Sequence, residues 1–385
     1  MISHLTVSKS KAQKSGRRCL EYLRAFAPTE PPLGILDKDV NQGALRMKKA
    51  FWIIPVVFVA LAIALWRYYS PGGAPTVVVY VSHDQVFSEP ILKDFEKETG
   101  IQVRAVYDTE ETKSAGAMNR LIAEKRNPQA DVYWANEPIR AEVLRQQGIA
   151  APYISPNGAG IPETFRDPNG YWTGFAARAR VLIAHRGTSP KPTSMLSYTD
   201  PQWRGKTVIA NPLFGTTTTQ IAALFVLSGD ERGRAFMQGL RDNAVKMSPS
   251  NGDSADLVAR GEFAFSLVDS DDVVNRMKQH QPVEMIYPDQ GANEIGCFVV
   301  PNAVVLIAGS PHPSAGKKLI DYLLTKETER KLAFSDAAQI PLHPDVAMPP
   351  YLQPIASIKV MKVNYMEIAS KLQTILPFLK NWAGF

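Results

Sequence analysis

Four short groups of residues carry the side chains in this sequence best suited to binding a small ligand. They occupy positions 82–84, 136–137, 215–219 and 269–272. Three of the groups contain carboxylates, whose oxygen atoms suit hard cations. The remaining group is a glycine followed by four threonines. Since a helix N-terminus offers unpaired N–H groups and hydroxyls add donors, that group suits an anion, although a threonine there often only caps its own helix.

Two arginines lie in an otherwise apolar stretch at positions 172–185. Arg178 and Arg180 alternate with alanine, so a strand would point both side chains to the same face. Guanidinium groups among Phe, Val and Leu need a carboxylate or an anionic ligand nearby. A structural ion pair is the alternative for either residue.

The elements that position these groups are alternating strands and helices. Three β-α repeats at positions 76–147 predict right-handed crossovers and a parallel sheet. A second α/β unit follows at 207–287. Long apolar strands at 172–185 and 297–308 are predicted to cross between the two units, and one helix is predicted at 314–334. In open α/β sheets, ligands bind beyond the carboxyl ends of strands, which is where the four groups lie.

An apolar run at positions 51–66 follows Lys48 and Lys49 and precedes a Pro/Gly-rich step. Its shape is typical of an export signal. It is shorter than the roughly 20 residues that span a bilayer comfortably, but the flanking Trp and Tyr residues favour an interface. We expect either a cleaved signal or an anchor in the inner membrane, with a buried core helix as the third alternative. The chain from Thr76 is then periplasmic or otherwise extracytoplasmic.

The positive net charge of the chain, +6, comes from its first 67 residues. Residues 1–67 hold eleven Lys/Arg and four Asp/Glu, net +7, so the remainder carries about −1. The high pI is therefore no argument for nucleic-acid binding. Residues 1–46 are interpreted as a disordered basic tail or as the product of a misplaced start codon. The two cysteines, Cys19 and Cys297, leave the exported part without an internal disulfide.

Several stretches resemble the ferric-iron-type solute-binding proteins of ABC transporters, which have the type II periplasmic-binding-protein fold. They include VVVYVSHDQVFSEPILKDFEKETGIQVRAVY, ADVYWANEP, YWTGFAARARVLIAH, NPLFGTTTTQIAAL and FSLVDSDD, in the family's order and spacing over positions 76–345. The resemblance implies two α/β lobes, each a mixed, mostly parallel sheet flanked by helices, that close on a ligand. It also implies delivery to an ABC permease in the inner membrane. We assign 76–178 and 300–385 to lobe 1, 179–299 to lobe 2, and 47–75 to the signal and linker.

The resemblance also implies roles for particular residues. Glu137 matches the family's acidic ligand, Asp84 lies where many members have a histidine, and Arg178 is the arginine that reaches the cleft. This chain departs from the ferric-binding members at Asp271 and Asp272, where they carry adjacent tyrosines. The predicted ligand-binding residues are His83, Asp84, Asn136, Glu137, Arg178, Gly215, Thr216, Thr217, Asp271 and Asp272. The predicted metal ligands among them are Asp84, Glu137, Asp271 and Asp272, with a capping role as the alternative for Asp269 and Asp271.

Two ligand classes remain open on this basis. One is a hard metal ion such as iron, carried as cargo with no separate cofactor. The other is a small organic anion, a phosphonate or sugar phosphate, bound by Arg178 and the threonines while Asp271 and Asp272 hold an amine or hydroxyl. No nucleophile–base pair, P-loop or Cys/His metal spacing is present, so we do not expect an enzyme. A membrane-tethered sensor domain is a further alternative, and we expect a monomer.

Overall fold

The computed structural model describes residues 74–108 and 116–384. The strands are β1 (Thr76–Val81), β2 (Gln102–Tyr107), β3 (Val132–Ala135), β4 (Ala150–Ala151), β5 (Thr173–His185), β6 (Val208–Ala210), β7 (Lys246–Ser248), β8 (Phe265–Asp269), β9 (Val283–Ile286) and β10 (Val299–Ile307). The helices are α1 (Gln85–Thr99), α2 (Gly116–Ala123), α3 (Pro138–Gln146), α4 (Gly215–Ser228), α5 (Asp230–Asp242), α6 (Asn251–Ala259), α7 (Ser270–Lys278), α8 (Pro313–Leu323), α9 (Lys326–Phe334) and α10 (Tyr365–Ala383).

The first three strands form the predicted parallel arrangement. Strand β1 pairs in parallel with β2 on one side and β3 on the other. The β1 sequence, TVVVYV, is β-branched and mostly buried, as expected of a strand covered on both faces. The main sheet runs in the order β2-β1-β3-β10-β5-β8, with β10 antiparallel to β3 and to β5. The chain therefore combines parallel β-α units with long antiparallel strands in a mixed sheet.

Strand β5 connects the two parts of the fold, as predicted, whereas β10 pairs with β3, β4 and the first half of β5, so a crossing by β10 stays a prediction. The first half of β5 pairs with β10, and its second half pairs with β8 and β9. Strands β6 and β7 form a further parallel pair, joined to β8 by a bridge between Thr207 and Phe265. The two predicted α/β units thus share one continuous strand, β5.

One predicted helix is wrong, and two helices, α6 and α10, were not predicted. The helix expected at 314–334 is two helices, α8 and α9, because the Thr325 side chain accepts a hydrogen bond from the Thr328 amide and starts α9 anew. The C-terminal helix α10 packs against α3 and α4. Its residue Trp382 donates from Nε1 to the Met237 carbonyl at 2.8 Å. Helix α10 therefore contacts elements from both predicted lobes, and the lobe boundaries stay a prediction.

Some predictions concern residues that the structure does not describe. They are the leader at 1–46, all but the last two residues of the signal and linker at 47–75, which include the apolar run at 51–66, and Cys19. Within residues 74–108 and 116–384, no helix has the length and apolarity needed to cross a membrane.

Candidate functional site

The turns after β1 and β3 lie side by side. The Ser82 amide donates to the Trp134 carbonyl at 2.9 Å, which joins the two strand ends. The His83 ring stacks on Trp134, with ring centroids 5.5 Å apart and planes inclined by 23°. His83 is 7% exposed, so it is packed as a buried aromatic group beside Asp84, which precedes the first residue of α1.

Arg178 lies between the turn after β3 and the end of β8. Its Nη2 donates to the backbone carbonyl of Asn136 at 2.6 Å, and its Nη1 is 3.7 Å from Oδ2 of Asp269. Burial acts to lower the pKa of Arg178, but nearby carboxylates raise it above its ordinary value. These carboxylates belong to Asp269, Asp271, Glu137 and Asp84. The structure therefore brings carboxylates from three of the four predicted groups around one guanidinium.

Arg180 lies on the same side of β5 as Arg178 but is fully buried. Its Nη1 donates to Oδ1 of Asp269 at 2.9 Å and to the Thr216 hydroxyl at 3.0 Å. Its Nη2 donates to the Thr217 hydroxyl at 3.1 Å and to the carbonyl of Leu267. Arg180 is therefore part of a structural ion pair, as the second interpretation of these arginines predicted. Arg178, by contrast, has 12% of its side chain exposed.

The threonine run is more internally bonded than the sequence indicates. The Thr216 hydroxyl donates to Oδ2 of Asp269 at 2.9 Å, and the Thr217 hydroxyl donates to the side chain of Asn251 at 3.1 Å. The residue that caps α4 is Phe214, without a side-chain cap bond, and Gly215 opens the helix at φ +58°. Thr216 and Thr217 therefore hydrogen-bond the buried side chain of Arg180. An anion contact for Gly215, Thr216 and Thr217 stays a prediction.

Glu137 is held by two partners and faces α4. It is 2% exposed, its Oε2 accepts from the Thr219 hydroxyl at 2.7 Å, and its Oε1 is 3.1 Å from Nε of Arg140. Thr219 lies on α4, in predicted lobe 2, whereas Glu137 immediately precedes α3 in predicted lobe 1. Sequence reasoning missed this contact, because nothing in the sequence distinguishes Thr219 from the three threonines before it.

Three carboxylates meet at the start of α7. One oxygen each from Asp269, Asp271 and Asp272 lies within 4.8 Å of the others. Burial acts to raise the pKa of Asp269, but Arg180 and Arg178 hold it below its ordinary value. Asp269 is the N-cap residue of α7 but makes no side-chain cap bond, so its predicted capping role is limited to the favourable position of its charge at the helix N-terminus.

Asp271 and Asp272 differ from Asp269 in having weaker cationic partners. Burial raises the pKa of Asp271 to about 6; Arg178 opposes the rise and Asp269 adds to it. Its Oδ1 is buried and has no hydrogen-bond partner among the described residues. Burial also raises the pKa of Asp272 well above its ordinary value, and Asp272 lies 3.8 Å from the guanidinium of Arg276. A cation bound at this position would stabilise the ionised form of both carboxyls.

A separate cavity of about 690 Å³ lies outside this cluster. It is lined by residues of α3, the loop before β5 and the start of α10, among them Glu142, Arg145 and Met366. Glu142 is fully engaged there by Arg145 and by Trp172 Nε1. None of the ten predicted ligand-binding residues lines this cavity.

The fold and the carboxylate-lined strand ends define a two-lobed periplasmic-binding-protein architecture. The family model for bacterial extracellular solute-binding proteins matches residues 91–356, and the chain belongs to that family. Iron uptake protein A1 of Synechocystis is 26% identical over 297 residues, covering 72% of this chain and 80% of that protein. A putative 2-aminoethylphosphonate-binding periplasmic protein of Salmonella typhimurium is 26% identical over 273 residues, covering 69% and 78%.

A solved structure supports the fold. The apo ferric ion-binding protein A of Pasteurella haemolytica superimposes with a TM-score of 0.70 at 23% identity, covering 80% of this chain and 98% of that one. The predicted fold class and family resemblance are therefore confirmed.

Proposed function

We propose that this protein is the extracytoplasmic solute-binding component of an ABC importer and that its cargo is a hard metal ion, with iron the first candidate. The observation that carries the proposal is the group formed by Asp269, Asp271 and Asp272, whose oxygens lie within 4.8 Å of one another. Oxygen-rich carboxylate sites suit hard cations. The relative named as an iron uptake protein supports iron in particular.

The proposed metal ligands are Asp271 and Asp272 with Asp84 and Glu137. Asp271 is the central one, because its buried Oδ1 lacks a donor among the described residues and its pKa is raised. Asp269 accepts hydrogen bonds from Arg180 and from the Thr216 hydroxyl. Its proposed role is therefore to support the site without coordinating the cargo. Glu137 would have to exchange its Arg140 or Thr219 contact for the cargo.

A small organic anion is the second candidate. Arg178 supports it, since this side chain is partly exposed and its Nε has no hydrogen-bond partner among the described residues. A ligand with both an anionic group and an amine, such as an aminoalkylphosphonate, would place the anion on Arg178 and the amine on Asp271. The Salmonella relative named for 2-aminoethylphosphonate supports this candidate.

Binding and delivery, without chemical change of the cargo, are the activities proposed. The working location is outside the cytoplasmic membrane, and the partner is the membrane permease of the importer. A cleaved signal or an anchor at residues 51–66, together with a monomeric state, belongs to the same proposal.

Native mass spectrometry and elemental analysis of the purified protein test the cargo directly. Titration calorimetry with ferric citrate and with 2-aminoethylphosphonate then compares wild type with Arg178→Ala, each with and without a chelator. A metal cargo predicts that the chelator abolishes binding. An organic anion predicts that Arg178→Ala weakens binding tenfold or more whatever the chelator does, since a charge-assisted bond contributes roughly 1.5–3 kcal/mol. Binding that survives both changes would contradict both candidates.

A further inference from the structure

Strand β5 contains an extra residue next to the candidate site. Ala177 pairs with Pro301 and Phe175 pairs with Asn302, so Ala176 has no partner in β10. Ala176 has φ +41°, a left-handed conformation that is unfavourable for alanine. This is a β-bulge, a feature that re-aims the side chains beyond it.

The bulge determines the face of β5 from which the Arg178 side chain projects. Cross-strand partners share a face, and alternate residues of β10 share a face, so Phe175 and Arg178, opposite Asn302 and Val300, lie on the same side. In a regular strand, residues three apart would lie on opposite sides. The extra residue therefore turns Arg178 to the side where Phe175 packs near Trp134, their ring centroids 5.4 Å apart.

A buried carboxylate fixes the bulge from outside the sheet. Glu329 on α9 is fully buried, and its Oε1 accepts from the Ala176 amide at 2.8 Å and from the Leu342 amide at 2.9 Å. Its Oε2 accepts from the amide and from Nδ1 of His343, each at 2.9 Å. An amide in a bulge loses its ladder partner, so this acceptor replaces the missing bond.

The carbonyl of the same residue is bound from the opposite strand. Asn302 Nδ2 donates to the Ala176 carbonyl at 2.6 Å, while Asn302 Oδ1 accepts from Trp134 Nε1 at 3.2 Å. Both peptide groups of the strained residue are thus held by buried side chains. Two positions further on, Arg178 reaches the Asn136 carbonyl.

We propose that Glu329 is a positioning residue for the ligand site: by holding the Ala176 bulge, it sets the face and the reach of Arg178. This inference rests on the proposed function only where ligand affinity is the readout. The bulge itself is measured without any ligand.

The first test measures amide hydrogen exchange in the full chain, at the peptide that contains residues 172–180. Glu329→Gln keeps the shape but replaces one acceptor oxygen by an NH₂ group that faces other donors. We expect exchange at this peptide to rise tenfold or more. The matched control is Glu327→Gln, two residues earlier on α9, where the carboxylate is 53% exposed and pairs with Arg330. Unchanged exchange in Glu329→Gln, or an equal rise in the control, would overturn the inference.

The second test asks whether Glu329 acts through Arg178. For whichever of ferric citrate or 2-aminoethylphosphonate the wild type binds, Glu329→Gln should weaken affinity at least threefold. The loss should vanish in an Arg178→Ala background, because coupled residues are not additive. An equal loss in both backgrounds would mean a general structural effect and overturn the inference. If the wild type binds neither probe, the proposed cargo classes fail, and exchange alone decides the role of Glu329.

Two further variants guard against a folding defect. Adding Ala176→Gly to Glu329→Gln removes the cost of the left-handed backbone and should restore part of the exchange protection. No restoration would count against the bulge as the link. If Glu329→Gln gives no folded protein, Asn302→Ala leaves the Glu329–His343 pair intact and should raise exchange at the same peptide. Unchanged exchange in that variant would also refute the inference.

Discussion

The hydroxyl of Thr219 donates a 2.7 Å hydrogen bond to the carboxylate of Glu137. The bond links the start of α4 to the turn after β3, and it brings together side chains separated by 82 positions. Both groups are almost completely buried, so water does not compete for the bond. It is therefore a direct contact between the two predicted lobes at the edge of the candidate site.

Thr219→Val should destabilise this contact. A hydrogen bond to a charged group contributes about 1.5–3 kcal/mol, and the substitution leaves the Glu137 oxygen with one donor fewer. We expect a lower free energy of unfolding by urea and a larger radius of gyration in solution scattering. Thr218→Val is the matched control, because the adjacent Thr218 hydroxyl is buried without a hydrogen-bond partner among the described residues. Equal effects of the two substitutions would contradict the assignment.

Asp271→Asn should stabilise the ligand-free protein and weaken cation binding. A pKa raised to about 6 means that ionising Asp271 costs more free energy in the folded protein than in the unfolded chain. Removing the charge is therefore expected to raise the free energy of unfolding by roughly 1 kcal/mol or more at pH 7. Affinity for ferric citrate should fall at least tenfold. The control is Asp256→Asn, at a half-exposed carboxylate paired with Arg276.

The double variant Asp271→Ala/Asp272→Ala tests capping against ligand binding. Both residues lie in the first turn of α7, where carboxylates stabilise a helix N-terminus. As cargo ligands they should be needed for binding and not for the fold. Normal binding with a lower melting temperature would establish the capping interpretation and move the site elsewhere.

Cation affinity should decrease as the pH falls through about 6. A proton competes with the cargo for the carboxylate of Asp271, whose pKa is raised to about that value by burial. Calorimetric titration with ferric citrate at pH 7.5, 6.5 and 5.5 measures the change. In Asp271→Asn the decrease should be smaller, and an identical pH profile in both proteins would rule out Asp271 as the competing group.

The His343–Glu329 pair predicts a second pH effect, on stability. Burial acts to lower the pKa of His343, but Glu329 and the Asn157 carbonyl raise it above its ordinary value, with Lys326 opposing. A raised folded-state pKa gives stability that is complete below the ordinary value of about 6.5 and is lost as the pH rises through the folded-state value. The difference in unfolding free energy between wild type and His343→Gln should therefore be largest at pH 5.5 and shrink by pH 9. The exposed His280 provides the control, His280→Gln.

Much of the fold could be predicted because its signals are local. Continuous β-branched runs such as β1 and the alternation of strands with helices are readable one segment at a time. The division of 314–334 into α8 and α9 was missed because the break depends on a single capping residue, Thr325, within an amphipathic stretch. Helix α10 was missed although its apolar spacing is regular, since the family resemblance ended before it.

The candidate site was only partly predictable, because charge partners are set by tertiary structure. The alternation of Arg178 and Arg180 correctly placed both on one side of β5, but their different burial follows from what packs on each. Arg180 meets Asp269, Thr216 and Thr217, whereas Arg178 meets a backbone carbonyl. The bulge at Ala176 left no mark in the sequence, because alanine is not the residue that its left-handed backbone favours.

The bulge also limits how the length of this chain can change during evolution. The direction of every β5 residue after Ala176 depends on this one unpaired position, so a deletion there, or an insertion between Ala177 and His185, would exchange the two largely buried faces of the rest of the strand. Arg180 would lose Asp269, and residues such as Leu182 and Ile183 would exchange the two separate apolar clusters in which they pack. Length variation among descendants of this sequence is therefore expected in the loop before Thr173 or after His185, with the count of residues between them held constant.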